Sequence, residues 1–135
     1  MAFANWDKMY SVKVQRLDAE HQQLFSTINQ LYDAMKAGQG SQVLHGVLQQ
    51  LLRYTEQHFS SEEALLLQAH YPDLDEHIAK HREFTGRIQK FSHDYRAGAV
   101  ALSVEILDFL KNWLNQHIMG MDQRYSSALN ACGIR

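Results

Sequence analysis

An imidazole and a carboxylate stand in the middle of an apolar helical stripe, and no other feature of the chain restricts its fold so strongly. Taking every third or fourth residue gives Leu44, Val47, Leu48, Leu51, Thr55, His58, Glu62, Leu65 and Ala69. His58 and Glu62 therefore point where core side chains belong. An ionised carboxylate in a core needs a counter-charge. The positions flanking Glu62 on this face supply no Lys or Arg, so a metal ion is the natural cation.

The oddity recurs on three further stripes. Residues 1–16 carry Trp6, Tyr10 and a short alternation at Val12 and Val14 without helical periodicity, which predicts an extended arm. Asp18 then reads as an N-cap, and Leu17, His21, Leu24, Phe25, Ile28, Leu31, Tyr32 and Met35 follow at helical spacing until Gly38-Gln-Gly40. Ser41 can cap a second helix that ends near Tyr71-Pro72, where proline cannot continue it. Gly46 opposes that helix by about 1 kcal/mol relative to Ala. Asp73 with Glu76 reads as a capping box for a third stripe, Leu74, His77, His81, Phe84, Ile88, Phe91 and Tyr95, which Gly98 ends. The fourth begins near Ser103 and buries Ile106, Leu107, Leu110, Trp113, Leu114, His117, Ile118 and Met121.

These segments predict helices at about 18–37, 42–70, 73–97 and 103–119, with a short C-terminal segment over 122–131. The expected fold is all-α, an antiparallel up-down-up-down four-helix bundle with an N-terminal arm, in a single domain over residues 1–135. With 45% hydrophobic residues, the chain is long enough for one core. A net charge of -2 without a long basic run argues against nucleic acid or an anionic membrane as partner. No apolar run reaches the length of a membrane span, and MAFANWDK lacks the pattern of a secretory signal. A cytoplasmic protein without membrane insertion is expected. The single Cys132 cannot form an internal disulfide and reads as a terminal residue.

His77 and His81 lie one turn apart on one face and can converge on one ion. His58 and Glu62 repeat that spacing, while His21 and His117 offer arms from the first and fourth helices. Asp122, five residues after His117, falls about 140° off the face of a regular helix. Gly120 lies between them, and a loosened turn there could bring the carboxylate back, so a helical irregularity between His117 and Asp122 is expected. One buried histidine is ordinarily a hydrogen-bonded core residue, and an isolated HxxxH is weak evidence of a metal. Here all four stripes carry such groups, and each would otherwise need its own buried partner. By the same periodicity, His45 and His93 fall off their stripes and His70 at a helix end, as surface residues. Glu20, Glu63 and Asp108 read as solvated charges.

Imidazole and carboxylate without thiolate suit iron, manganese or zinc. Seven side chains are too many for one ion. Two ions sharing Glu62, Asp122 and a bridging hydroxide or oxide would leave one position open, on the ion that has two histidines.

A His in the first helix followed by HxxxE, HxxxH and HxxxxD is the pattern of the haemerythrins. Here it reads His21, His58 to Glu62, His77 to His81, and His117 to Asp122. Trp6, Leu17-Asp18, Tyr71-Pro72, Trp113-Leu114 and Ile118 add to the likeness, so the chain resembles a bacterial haemerythrin over nearly its whole length. The up-down-up-down bundle of myohaemerythrin is a named example of that architecture.

The resemblance implies two iron ions with an oxide or hydroxide bridge. His77, His81 and His117 would hold one, His21 and His58 the other, and Glu62 and Asp122 would bridge. It further implies reversible O2 binding at the five-coordinate iron, with O2 held as hydroperoxide, in a pocket lined by Leu24, Phe59, Leu114 and Ile118. The expected protein is a non-enzymatic monomer that stores, transports or delivers O2, with an oxygen-consuming protein downstream. The competing readings are an oxygen or redox sensor, a di-iron enzyme reducing peroxide or nitric oxide, and simple iron or zinc holding. His70 departs from the small residue expected before Tyr71-Pro72.

Overall fold

The computed structural model describes residues 4–38, 41–96 and 104–135, without the side chains of 41–44, 96, 104 and 105. Helix α1 spans Gln15–Lys36, α2 Ser41–Gln68, α3 Leu74–Arg96, α4 Val104–Gly120 and the short α5 Ser126–Ala131, with 3-10 turns at Lys8–Tyr10 and Asp122–Tyr125. No strand occurs among the described residues. Across α2 and α3, partners fall on one helix as they rise on the other: Glu63 with His81, Glu56 with Gln89, Gln49 with Ser92. Phe84 meets Trp113 and Phe91 meets Phe109 in the same sense across α3 and α4. The long helices form the expected four-helix bundle around one core. No helix among the described residues is long and apolar enough to cross a membrane.

Two sequence expectations need correction at the N-terminal end. The arm is not wholly extended, because Asp7 accepts from Met9 N at 2.8 Å and caps the Lys8–Tyr10 turn. Asp18 is not the N-cap. The helix begins earlier, at Gln15 after Val14, because Val14 and Leu17 are both buried and draw the first turn onto the core. Asp18 sits in that turn, accepting from Ser11 Oγ at 2.6 Å and Val12 N at 2.8 Å. A carboxylate there complements the helix dipole while tying the arm to the bundle.

Gly38 has φ +70 and ends the first helix as predicted. At the end of α2 that left-handed position falls to His70, φ 54. Tyr71 N donates to Leu66 O at 3.0 Å and His70 N to Leu67 O at 3.1 Å, which is the paired-bond ending usually built on glycine. A side chain there costs roughly 1 kcal/mol, and the burial of Tyr71 against the core offsets it. Gly40, Gly98 and Ser103 lie outside the described residues, as do the side chains of Ser41 and Leu44.

Candidate metal centre

His21, His58, His77, His81 and His117 are each 6% exposed or less, Glu62 is 0% and Asp122 is 1%. They occupy one layer across the bundle. Neighbouring layers follow by helical spacing: Leu24, Thr55, Phe84 and Leu114 each lie three residues from a histidine of this layer, one per helix and all toward the same end.

The two carboxylates divide their oxygens between two sets of imidazoles. Glu62 Oε1 lies 2.8 Å from His77 Nε2 and 3.0 Å from His81 Nε2, and Asp122 Oδ1 lies 2.8 Å from His77 Nε2 and 3.0 Å from His117 Nε2. Glu62 Oε2 lies 3.5 Å from His21 Nε2 and 3.4 Å from His58 Nε2, and Asp122 Oδ2 3.1 Å from His21 Nε2. One group of candidate ligand atoms comprises Glu62, His77, His81, His117 and Asp122, the other His21, His58, Glu62 and Asp122. The carboxylates belong to both.

The contacts fit metal ions better than hydrogen bonds. His21 Nε2 and Asp122 Oδ2 are close, yet neither makes an aligned hydrogen bond, and both are buried. Such orphaned atoms in a core require an occupant. His81 Nε2 and His117 Nε2 face each other at 3.1 Å. Two nitrogens at right angles on one ion, each about 2.1 Å from it, would be about 3 Å apart.

Asp122 reaches the layer by the predicted break. Helix α4 closes with Met121 N donating to His117 O at 2.8 Å, Met121 takes φ -115 and ψ -51, and the chain continues as the Asp122–Tyr125 turn. The distortion lies at Met121 rather than Gly120, whose φ is not positive and whose added Cβ would meet nothing within 4 Å. Glycine's conformational freedom is therefore not what makes the turn.

Without metal, protons would supply the missing positive charge. Burial opposes a charged His21, but Asp122 and Glu62 outweigh it and push its pKa up to about 10. His77 is raised to about 9 against the same desolvation by the same two carboxylates. Burial favours the neutral forms of Glu62 and Asp122, and the surrounding imidazoles nevertheless hold both well below the usual carboxylate range.

Three functional side chains escaped the sequence reading. Glu20 and Glu63, expected to be solvated, are half-buried and lie 2.7 Å from His58 Nδ1 and from His81 Nδ1. Each fixes its ring with Nε2 turned inward, as carboxylates behind metal-bound imidazoles do. Ser61 Oγ donates to Glu20 at 3.2 Å. Tyr125, fully buried, donates its hydroxyl to Glu62 Oε2 at 2.9 Å. The available signal was adjacency, since Glu20 precedes His21 and Glu63 follows Glu62. Glu63→Gln should lower metal affinity roughly 10- to 100-fold, measured by competition with a chelator. Unchanged competition would show that Glu63 is no more than a surface charge.

Aromatic rings fix two imidazole planes further. Phe59 lies parallel to His81, centroids 3.7 Å apart at 1°, and Trp113 stacks on His117 at 4.4 Å and 13°. Beside the layer, Leu24, Ile28, Leu51, Thr55, Phe59, Phe84, Leu110, Trp113 and Leu114 enclose a cavity of about 10 Å³. That is about the least space that admits one water-sized molecule. Its one polar side chain, Thr55, donates to Leu51 O at 2.7 Å. Leu24, Phe59 and Leu114, three of the residues expected at an O2 pocket, line this cavity. Ile118 is buried but outside the wall, because it follows His117 on α4 whereas the residues of α4 that line the cavity, Leu110, Trp113 and Leu114, all precede it. His70 and His93 are exposed as expected, and so is Cys132, while His45 is half-buried.

A family model described as "Hemerythrin HHE cation binding domain" matches residues 12–129. The myohemerythrin of Sipunculus nudus is 32% identical over 124 residues, covering 92% of each chain. A bacteriohemerythrin of Stenotrophomonas maltophilia (strain R551-3) is 30% identical over 131 residues, 97% of this chain and 84% of the relative. A wild-type hemerythrin crystal structure superposes with a TM-score of 0.88 at 27% identity, covering 95% of this chain and 98% of the other. With the four-helix fold, the split carboxylates and a match over nearly its full length, the chain belongs to the hemerythrin family.

Proposed function

We propose that the protein binds O2 reversibly at a non-haem di-iron centre, as a carrier rather than an enzyme. The observation that carries this is the division of the carboxylate oxygens. Glu62 and Asp122 each turn one oxygen toward His77, His81 and His117 and the other toward His21 and His58, which suits two ions sharing two bridges. The first set supplies five protein donors and the second four. An ion held by the second set would have fewer protein donors than one held by the first and would be the more open to a gas ligand. When bound, two ferrous ions supply the electrons that O2 accepts on binding and returns on release.

The chain's own residues do the rest. Glu20 and Glu63 orient His58 and His81. Tyr125 holds Glu62 Oε2. Leu24, Phe59 and Leu114 supply an apolar wall with no ionisable group, which limits water and stray proton donors near the bound gas. The reading extends to a monomeric cytoplasmic carrier that hands O2 to an oxygen-consuming protein.

The test is anaerobic loading with ferrous iron, followed by O2. Two irons per chain are expected, with a visible charge-transfer band that appears with O2 and disappears when O2 is removed. Irreversible bleaching, or steady turnover of peroxide or nitric oxide with a reductant, would replace the carrier reading with redox sensing or catalysis.

A further inference from the structure

A second pair of histidines lies between α2 and α3, well away from the centre. His45 precedes His58 by thirteen residues and His93 follows His81 by twelve, about 20 Å and 18 Å along their helices. Because the helices are antiparallel, both displacements lead to the same end of the bundle. Both imidazoles line one groove of about 330 Å³, together with Gln49, Leu52, Gln89 and Ser92. His45 and Gln49 are one turn apart on α2, and Gln89 and His93 one turn apart on α3. Two such pairs thus line one groove, one pair from each helix. Gln49 Nε2 donates to Ser92 Oγ and ties the walls together.

His45 Nδ1 is buried within this wall and has no hydrogen-bond partner among the described residues, which native proteins rarely leave without an ion, ligand or water. Among the described residues, no Asp, Glu, Lys or Arg lines the groove. Its donors are imidazole nitrogen first, then neutral amide and hydroxyl oxygen.

We propose that this groove is a peripheral metal site, distinct from the central one, that takes one late first-row divalent cation through His45 and His93. Imidazole without carboxylate favours Cu2+ most strongly and holds Fe2+ poorly. The central layer, with two carboxylates, keeps the iron. The two sites would therefore sort metals by donor chemistry.

The test is a Cu2+ titration of the iron-loaded, oxidised protein at neutral pH. Electron paramagnetic resonance and native mass spectrometry report the outcome. One Cu2+ per chain is expected, with splitting from two imidazole nitrogens and no loss of iron. His45→Asn and His93→Asn should each weaken Cu2+ at least about tenfold, since each removes one of two strong donors, while His70→Asn leaves binding unchanged. His93 is exposed, so its replacement should preserve the fold, which helical circular dichroism checks for both variants. The assignment is overturned if His93→Asn binds Cu2+ as tightly as the parent, if copper enters only by expelling iron, or if the spectrum lacks two nitrogens.

Discussion

Glu62→Gln should empty both halves of the centre at once. The native side chain is fully buried and approaches imidazoles of both sets, with Oε1 2.8 Å from His77 and Oε2 3.4 Å from His58. An amide has one oxygen and no charge. Whichever way it turns, one set loses a donor and faces an N–H group, and both lose the anion that balances their metal. Since losing an outer carboxylate behind one histidine costs up to about 100-fold in affinity, losing a shared inner one should exceed that. Iron per chain should fall from two to near zero where the parent stays loaded. His21→Asn, by contrast, should weaken only its own set. Clean loss of a single iron from Glu62→Gln would contradict the shared bridge.

Stripping the metal should lower the melting temperature by at least about 8 °C at pH 8. A ligand present at a thousand times its Kd adds about 4 kcal/mol, and each kcal/mol moves a domain of this size by roughly 2–8 °C. The difference should itself depend on pH. In the metal-free chain His21 sits at about 10 and His77 at about 9, against 6.5 when unfolded. Their protonation therefore stabilises the metal-free fold fully below pH 6.5, and that contribution is lost as pH rises through 9 to 10. Glu62 and Asp122, held below 4.5 and 3.8, act in the opposite sense, stabilising above those values and losing their contribution as pH falls.

The loaded protein needs neutral histidines, so acid releases its metal. Melting curves of loaded and stripped protein should therefore draw together toward pH 5 and separate above pH 7, followed by circular dichroism. Identical melting at pH 8 would mean that the buried layer does not depend on metal for its stability.

The helices and the inward histidines were legible because burial imposes a period on each helix, and a polar residue on that period is conspicuous. Asp122 could be placed for the opposite reason: its misfit to the period demanded a break, and Met121 supplies it. Glu20, Glu63 and Tyr125 were not legible. Glu20 and Glu63 sit about 100° from the inward line, and what they do depends on how closely a neighbouring helix passes. The start of α1 was misjudged in a related way. Asp18 has the chemistry of a cap, but its carboxylate serves Ser11 and Val12 across the turn. The groove of His45 and His93 likewise exists only through the pairing of α2 with α3.

The segment that carries Asp122 is held by the far end of the chain. Gln123 Nε2 donates to Met9 O, at 2.5 Å, Ser126 Oγ to Val12 O at 2.7 Å and Asn130 Nδ2 to Lys13 O at 3.0 Å. These contacts span separations of 114, 114 and 117 residues, and such distant pairings are among the slower events of folding. His21, His58, His77, His81 and Glu62 lie on the first three long helices and can therefore meet before His117 and Asp122 are placed. The second shared carboxylate thus completes the layer only where the N-terminal arm meets the segment that follows α4.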